Sequence, residues 1–191
     1  MLVSDLNHFL DLPDDVPGPA RRLAGQLGDL VRAASAGDAG MPWQTALACR
    51  RRPGRRPCPG RVVVARPPDG PIRWQCPVCG DAGVISNWAG SPFDLRRRGL
   101  AVAPSGTGIV VSGLVAAALR DLELLDLDGE RLVYTIRSEG DRLVLTATAE
   151  ELDALIDAVA AEANHEPDRR RRGRLDGALD ALTRAADTPG W

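Results

Sequence analysis

The sequence predicts an α+β fold, on three observations. Apolar residues recur at helical spacing near both ends of the chain. Residues 41–88 instead break into short apolar runs separated by Pro and Gly. All four cysteines, Cys49, Cys58, Cys76 and Cys79, fall within that middle stretch. The expected architecture is a central ribbon of short antiparallel strands, with N-terminal helices before it and a β-hairpin plus an αα-hairpin after it. It divides into an N-terminal helical segment (1–40), a ribbon region (41–100) and a C-terminal α+β region (101–191) that can pack as one domain with the rest.

The elements follow in order. Ser4 reads as the N-cap of a short helix with Leu6, Phe9 and Leu10 on one face, closed by Pro13. Pro19 suits the first turn of a second helix with Leu23, Leu27, Leu30 and Val31 on a stripe, ended by Gly37 and Gly40. Gly25 and Gly28 each weaken that helix by about 1 kcal/mol relative to Ala, so it depends on packing. Arg61–Arg66 and Ile72–Gln75 flank a Pro67-Pro68-Asp69-Gly70 turn as a strand pair, and Val84–Asn87 reads as a third strand. Ser91-Pro92-Phe93 and the run 96–99 form a connector. Ile109–Val111 reads as a strand, and Ser112 caps a helix bearing Leu114, Val115, Ala118, Leu119 and Leu122. A hairpin is expected from Arg131–Arg137 and Arg142–Ala147 around a turn at 138–141. Thr148 and Glu151 form a capping box opening a helix with Leu152, Leu155, Ile156, Val159 and Ala163 on one stripe. Pro167 breaks it, and Leu175, Ala178, Leu179 and Leu182 mark a last, antiparallel helix.

The cysteines carry the sharpest chemical signal. In Cys76-Pro77-Val78-Cys79-Gly80, two thiols two residues apart with Gly following can bind one metal while backbone amides turn toward the sulfurs. Cys49 and Cys58 are the only cysteines left to complete the set, and the intervening strand pair brings the two halves together. Four thiolates in a tetrahedron suit Zn²⁺, so the ribbon is expected to be a zinc ribbon. Eight residues separate Cys49 from Cys58, against the usual two to four, and Pro53-Gly54 offers the turn that closes such an expanded loop. Other readings of the thiols are free or disulfide-bonded core cysteines, a redox dithiol at Cys76/Cys79, and an iron–sulfur cluster. A redox pair normally opens a helix after a strand, whereas strand-like segments flank this one on both sides. His8 and His165 lie far from the ribbon in sequence and read as helix-end or surface residues.

The runs Cys49–Gly60, Trp74–Trp88, Ser91–Leu95 and Glu162–Glu166 resemble a family of uncharacterised bacterial proteins with an embedded four-cysteine zinc ribbon. That resemblance runs over most of the chain. It implies a fold and no activity.

Charge is unevenly spread. Every one of the 24 basic residues is Arg. Residues 1–40 carry a net −3, residues 41–100 a net +8 and residues 101–191 a net −7. A GC-rich genome accounts for the missing Lys without any function. The basic middle holds Arg50, Arg51, Arg52, Arg55 and Arg56 inside the expanded loop, with Trp43, Trp74 and Trp88 around the ribbon. Charge on phosphates combined with aromatic stacking, at roughly 1–3 kcal/mol per base, is a way single-stranded nucleic acid is gripped. Arg51, Arg52, Arg55, Arg56, Trp74 and Trp88 are therefore the candidate contacts to nucleic acid or to an acidic protein surface. The plainer reading is that Arg offsets the formal −2 of a four-thiolate zinc centre and that Trp fills a small core. A second run, Arg169–Arg172 with Arg174, opens the last helix against its macrodipole and reads as a face paired with Asp168, Glu166 and Glu162.

Catalytic signatures are missing. Residues 104–108 are Gly-rich but lack the Gly-Lys-Ser/Thr ending of a phosphate loop. There is no Gly-x-Ser-x-Gly elbow and no His-x-Glu deaminase pattern. Zinc held by four Cys has no open position for water. Glu150, Glu151, Asp153 and Asp157 read as a helix cap and a solvent face. The longest apolar stretch, Gly108–Leu119, is far shorter than the roughly 20 residues of a membrane span. Acids at Asp5 and Asp11 replace the basic start of a secretory leader. The expectation is a cytoplasmic, non-enzymatic zinc-ribbon binding protein that contacts nucleic acid. The rival is a protein-interaction or regulatory adaptor using the C-terminal helical hairpin, with zinc purely structural. A basic middle and an acidic end also permit self-association.

Overall fold

A computed structural model of the chain describes residues 1–13, 15–96 and 106–188. The fold is mixed α+β and divides into two compact units, Met1–Arg97 and Arg98–Trp191. The N-terminal segment and the cysteine-bearing strands share the first unit.

In the first unit, β1 (Leu2–Asp5) precedes a 3₁₀ turn (Leu6–Phe9) and helix α1 (Gly18–Ala36). Strands β2 (Trp43–Ala48), β3 (Arg61–Ala65), β4 (Ile72–Gln75) and β5 (Ala82–Ser86) follow. The sheet order is β1-β5-β4-β3-β2, antiparallel except for β1, which runs parallel to β5. Strand alternation places Val62, Val64, Ile72, Trp74 and Ile85 in the core, with Leu27, Leu30 and Val31 of α1 also buried. Arg66, just past β3, donates to the carbonyls of Ala34 (3.0 Å) and Gly37 (2.9 Å), which satisfies the end of α1. The 91–95 part of the connector docks on the same helix. The Leu95 N–H donates to the Ser35 hydroxyl at 2.9 Å, and a Cβ on Gly28 would lie 3.2 Å from the Phe93 ring. Residues 97–99 of that connector lie outside the described residues, as do residues 104 and 105 of the Gly-rich stretch.

The expected helix from Ser4 is not formed. Leu2–Asp5 is a strand with Ser4 buried, and only the 3₁₀ turn follows. Asp5, not Ser4, is the cap, accepting from Asn7 N–H at 3.0 Å. The cause is non-local: β5 provides the ladder partner for Leu2–Asp5, and pairing with a strand some eighty residues away leaves no local periodicity to read.

In the second unit, β6 (Thr107–Val111), α2 (Gly113–Arg120), α3 (Leu127–Tyr134), β7 (Arg137–Glu139), β8 (Arg142–Ala147), α4 (Ala149–His165) and α5 (Arg169–Ala186) follow in order. The strands pair antiparallel in the order β7-β8-β6. Ser112 caps α2, and the Thr148–Glu151 capping box is complete, with bonds of 2.8 and 3.2 Å.

The Arg131–Arg137 strand needs correction. Its first four residues end helix α3, and only Arg137 enters a strand. Asp126 caps α3 by accepting from Gly129 N–H at 2.7 Å, and Asp128 and Glu130 favour its first turn. Those local signals outweigh the hairpin pattern, and Leu132, Val133 and Tyr134 are all buried in the helical conformation.

Arg171 on α5 resolves the charge at that helix start. It forms ion pairs with Glu162 and Glu166, both largely buried, and donates to the Asp121 carbonyl at 2.8 Å. Glu162 also accepts from the backbone N–H groups of Glu123 (2.8 Å) and Leu124 (3.1 Å). Asp168 caps α5 through Arg171 N–H. The cluster ties α4, α5 and the segment after α2 together.

Candidate metal centre

Sheet topology assembles the site. Cys49 follows β2 and Cys58 precedes β3, while Cys76 and Cys79 lie in the connection from β4 to β5. Since β2/β3 and β4/β5 are antiparallel neighbours and β3 leads directly into β4, both connections fall at one end of the sheet.

The four Sγ atoms all lie within 4.8 Å of one another. Cys49 Sγ is 3.6 Å from Cys79 Sγ, and Cys58 Sγ is 3.7 Å from Cys76 Sγ. A tetrahedral thiolate centre with metal–sulfur bonds of about 2.3 Å has sulfur–sulfur edges of about 3.8 Å. A disulfide requires about 2.05 Å, and none of the four cysteines forms one. Each of these two approaches joins one connection to the other. The donor set and spacing therefore fit a single metal ion.

The two connections share one backbone design. In the second, Gly80 N–H donates to the Cys76 carbonyl at 3.0 Å, and Cys76 N–H to the Asp81 carbonyl at 2.7 Å. In the first, Cys49 N–H donates to the Gly60 carbonyl at 2.8 Å, two residues past Cys58 just as Asp81 is two past Cys79. Arg51 N–H points at Cys49 Sγ and Gly60 N–H at Cys58 Sγ, each at 3.4 Å. Cys58 N–H donates to the Arg51 carbonyl at 2.9 Å, which pinches off residues 52–57 at their neck. The long spacing is therefore an ordinary two-residue knuckle carrying a six-residue insertion.

Two glycines make this geometry possible. A Cβ on Gly60 would sit 2.6 Å from Cys76 Sγ and 2.9 Å from Val78 Cγ2. Gly80 adopts φ +72°, a left-handed conformation that L side chains resist. In the sequence Gly80 stands out only as part of the motif, and the one signal of Gly60 is its place two residues after Cys58.

The thiols differ in their electrostatic surroundings. Burial pushes the Cys49 thiol up to about 12, with Arg51 N–H opposing and the neighbouring sulfurs adding to the rise. At Cys58 the Gly60 N–H favours the thiolate, but burial and the Cys76 and Cys79 sulfurs outweigh it, so the net shift is upward. For Cys76, burial acts upward, yet the N–H groups of Cys79 and Val78 and bonds from Cys79 and Cys49 bring the thiol below its ordinary value. Thiols of one buried cluster are thus shifted in opposite directions. A divalent ion favours the thiolate form of each.

The remaining sequence candidates separate into two sets. Arg50, Arg51, Arg52, Arg55 and Arg56 are all exposed around the inserted loop. Arg51 approaches Asp81 at 3.9 Å, and the other four have no carboxylate partner among the described residues. An open cleft of about 510 Å³ is lined by Arg50, Arg51, Arg52, Pro53 and the partly buried ligand candidate Cys79. Trp74 and Trp88, by contrast, are 3% and 5% exposed. Trp74 fills the sheet core. Trp88 donates its indole N–H to the Gly70 carbonyl at 3.1 Å and is covered by the Arg96 guanidinium at 4.6 Å. Neither ring has a free face, so the expected stacking role for these two does not fit where they sit. The physical reason is size: a small sheet buries its largest side chains first.

Compared with protein-family models, curated proteins and solved structures, the chain finds no match. No helix among the described residues is long and apolar enough to cross a membrane.

Proposed function

We propose that the first unit is a zinc ribbon and that the chain is a cytoplasmic, non-enzymatic binding protein whose arginine loop contacts nucleic acid. Zn²⁺ is the metal best suited to four thiolates in a closed tetrahedron, and such a centre leaves no position for a catalytic water. Its task is then mechanical. It pins both connections, and through them the neck of the 52–57 insertion, so the arginines are presented from a rigid base.

One observation carries the binding role. Five exposed Arg lie within seven residues, four of them without a carboxylate partner among the described residues. Balancing the formal −2 of the centre does not use up five positive charges, and Asp81 offsets only one more. The guanidinium suits phosphate, as a planar donor that stays charged.

The test replaces Arg51, Arg52, Arg55 and Arg56 together by Ser in the zinc-loaded protein, with nucleic-acid binding followed by fluorescence anisotropy at low salt. Binding should fall at least about tenfold, and the dependence of log affinity on log salt should flatten. Unchanged binding in a variant that still holds zinc would sink the proposal.

An adaptor role through the α4–α5 hairpin has less support. Its exposed positions, such as Glu150, Asp153, Asp157, Asp176 and Asp180, are charged. The exposed leucines among that unit's described residues, Leu114, Leu124 and Leu127, precede the hairpin.

A further inference from the structure

We infer that the arginine loop recognises phosphates alone, so its partner is double-stranded nucleic acid bound without sequence preference. This rests on the nucleic-acid reading above and specifies the class of ligand.

The argument begins with the aromatic rings. Single-strand binders hold extended chains by stacking successive bases on exposed aromatics. The first unit contains five aromatic residues, none of them in the arginine loop and none fully exposed. Trp74 and Trp88 are buried. Trp43 lies against the end of α1, where a Cβ on Gly37 would meet its indole nitrogen at 2.6 Å. Phe93 lies against Gly28 and is covered by the Arg32 guanidinium at 4.5 Å. Phe9 is half-buried in the 3₁₀ turn. The surface that carries the arginines therefore has charge and no stacking platform.

The loop's shape points the same way. Its neck is closed by the Cys58–Arg51 hydrogen bond, and its tip by Arg55 N–H to the Arg52 carbonyl (3.1 Å) and Arg56 N–H to the Pro53 carbonyl (3.2 Å). Gly54 and Arg55 both take positive φ, +59° and +65°, so the tip is a compact turn between Pro53 and Pro57. A turn this short and stiff does not follow a flexible strand, nor does it match the regular helix or ribbon that reads base edges in a groove. It does carry five arginines within seven residues, three of which line one cleft. A duplex meets that array with about one negative charge per 1.7 Å of axis, the denser phosphate display. Phosphate contacts fix position without carrying sequence information.

The test compares three fluorescent probes against the zinc-loaded protein at low salt: two duplexes of about two helical turns with equal composition and scrambled sequence, and a thymine-only single strand of equal length. The two duplexes should bind within about twofold of each other. The single strand should bind at least about fivefold more weakly, since the stacking that normally holds it, worth about fivefold or more per base, is missing. With about four phosphates neutralised, log affinity for the duplex should fall against log salt with a slope near −3.6, and Arg52→Ser with Arg55→Ser and Arg56→Ser should bring it to about −1. A single strand bound as tightly as the duplexes, or a tenfold difference between the duplexes, would overturn this inference and leave the nucleic-acid reading standing. Failure to bind any probe would overturn both.

Discussion

Gly60→Ala is the most economical test of the centre, because the change is one methyl group and its target is one sulfur. The added Cβ would stand 2.6 Å from Cys76 Sγ. An unstrained contact needs about 3.5–4.0 Å, so the sulfur must recede by about 1 Å. Metal–sulfur distances tolerate about 0.2 Å, so the required shift is several times what the site can absorb. The other close atom, Val78 Cγ2 at 2.9 Å, belongs to an exposed side chain that can rotate away. Cys76 cannot yield so easily, being 1% exposed and held through its backbone by Asp81 and Gly80. Overpacking of this kind costs about 1–3 kcal/mol, which corresponds to a loss of about fivefold to 150-fold in metal affinity. Gly60 is not in the left-handed region, so the backbone itself adds nothing. Gly80→Ala provides the contrast: it strains the backbone at φ +72° by about 1–2 kcal/mol but meets no atom within 4 Å. Competition against a chromophoric zinc chelator reads the affinities, and thermal melts read stability. Gly60→Ala should lose more affinity than Gly80→Ala, because only its added methyl meets a ligand sulfur. A Gly60→Ala protein that holds zinc as tightly as the parent would refute both the assigned ligand geometry and the reasoning from it.

Other consequences are as open to measurement. Elemental mass spectrometry should find one zinc per chain, with Cys76→Ser abolishing it together with the folded first unit. Loss of metal without loss of structure would show that the centre is not structural. Glu162→Ala removes the acceptor of two backbone N–H groups and half of the Arg171 clamp, so it should destabilise the protein by about 1–3 kcal/mol, visible as a lowered melting temperature. The Arg171 hydrogen bond, aided by Asp168 N–H, holds the Glu166 carboxyl below its usual 4.5. Because the folded value is the lower one, its contribution is full above about pH 4.5 and is lost as the pH falls through the folded value. The difference in melting temperature between parent and Glu166→Gln should therefore be constant at neutral pH and close on acidification. A pH-independent difference would remove the ion pair from the account.

Much of the molecule was legible because its signals are local. The Thr148–Glu151 capping box, the stripe along α4, Ser112 before α2 and the strand pair around residues 67–70 all rest on contacts within a few residues. The cysteine assignment was legible for a related reason: four thiols and one short knuckle leave few arrangements. Where the reading failed, a distant partner or a competing local signal decided. Leu2–Asp5 is a strand only because β5 offers its edge. Arg131–Tyr134 reads as a strand beside the 138–141 turn, yet the Asp126 cap draws it into a helix.

The functional residues divide along the same line. Sequence by itself determined which side chains can bind metal and where positive charge accumulates, since both are properties of composition and spacing. Only the tertiary structure decided that the Cys49–Cys58 spacing is a knuckle with an insertion, that Gly60 must lack a side chain, and that Trp74 and Trp88 face inward. A tryptophan near a basic loop has the same sequence signature whether its ring is a stacking platform or a core residue. What separates the two is burial, which is set by the strands and side chains that pack around the ring after the chain has closed on itself.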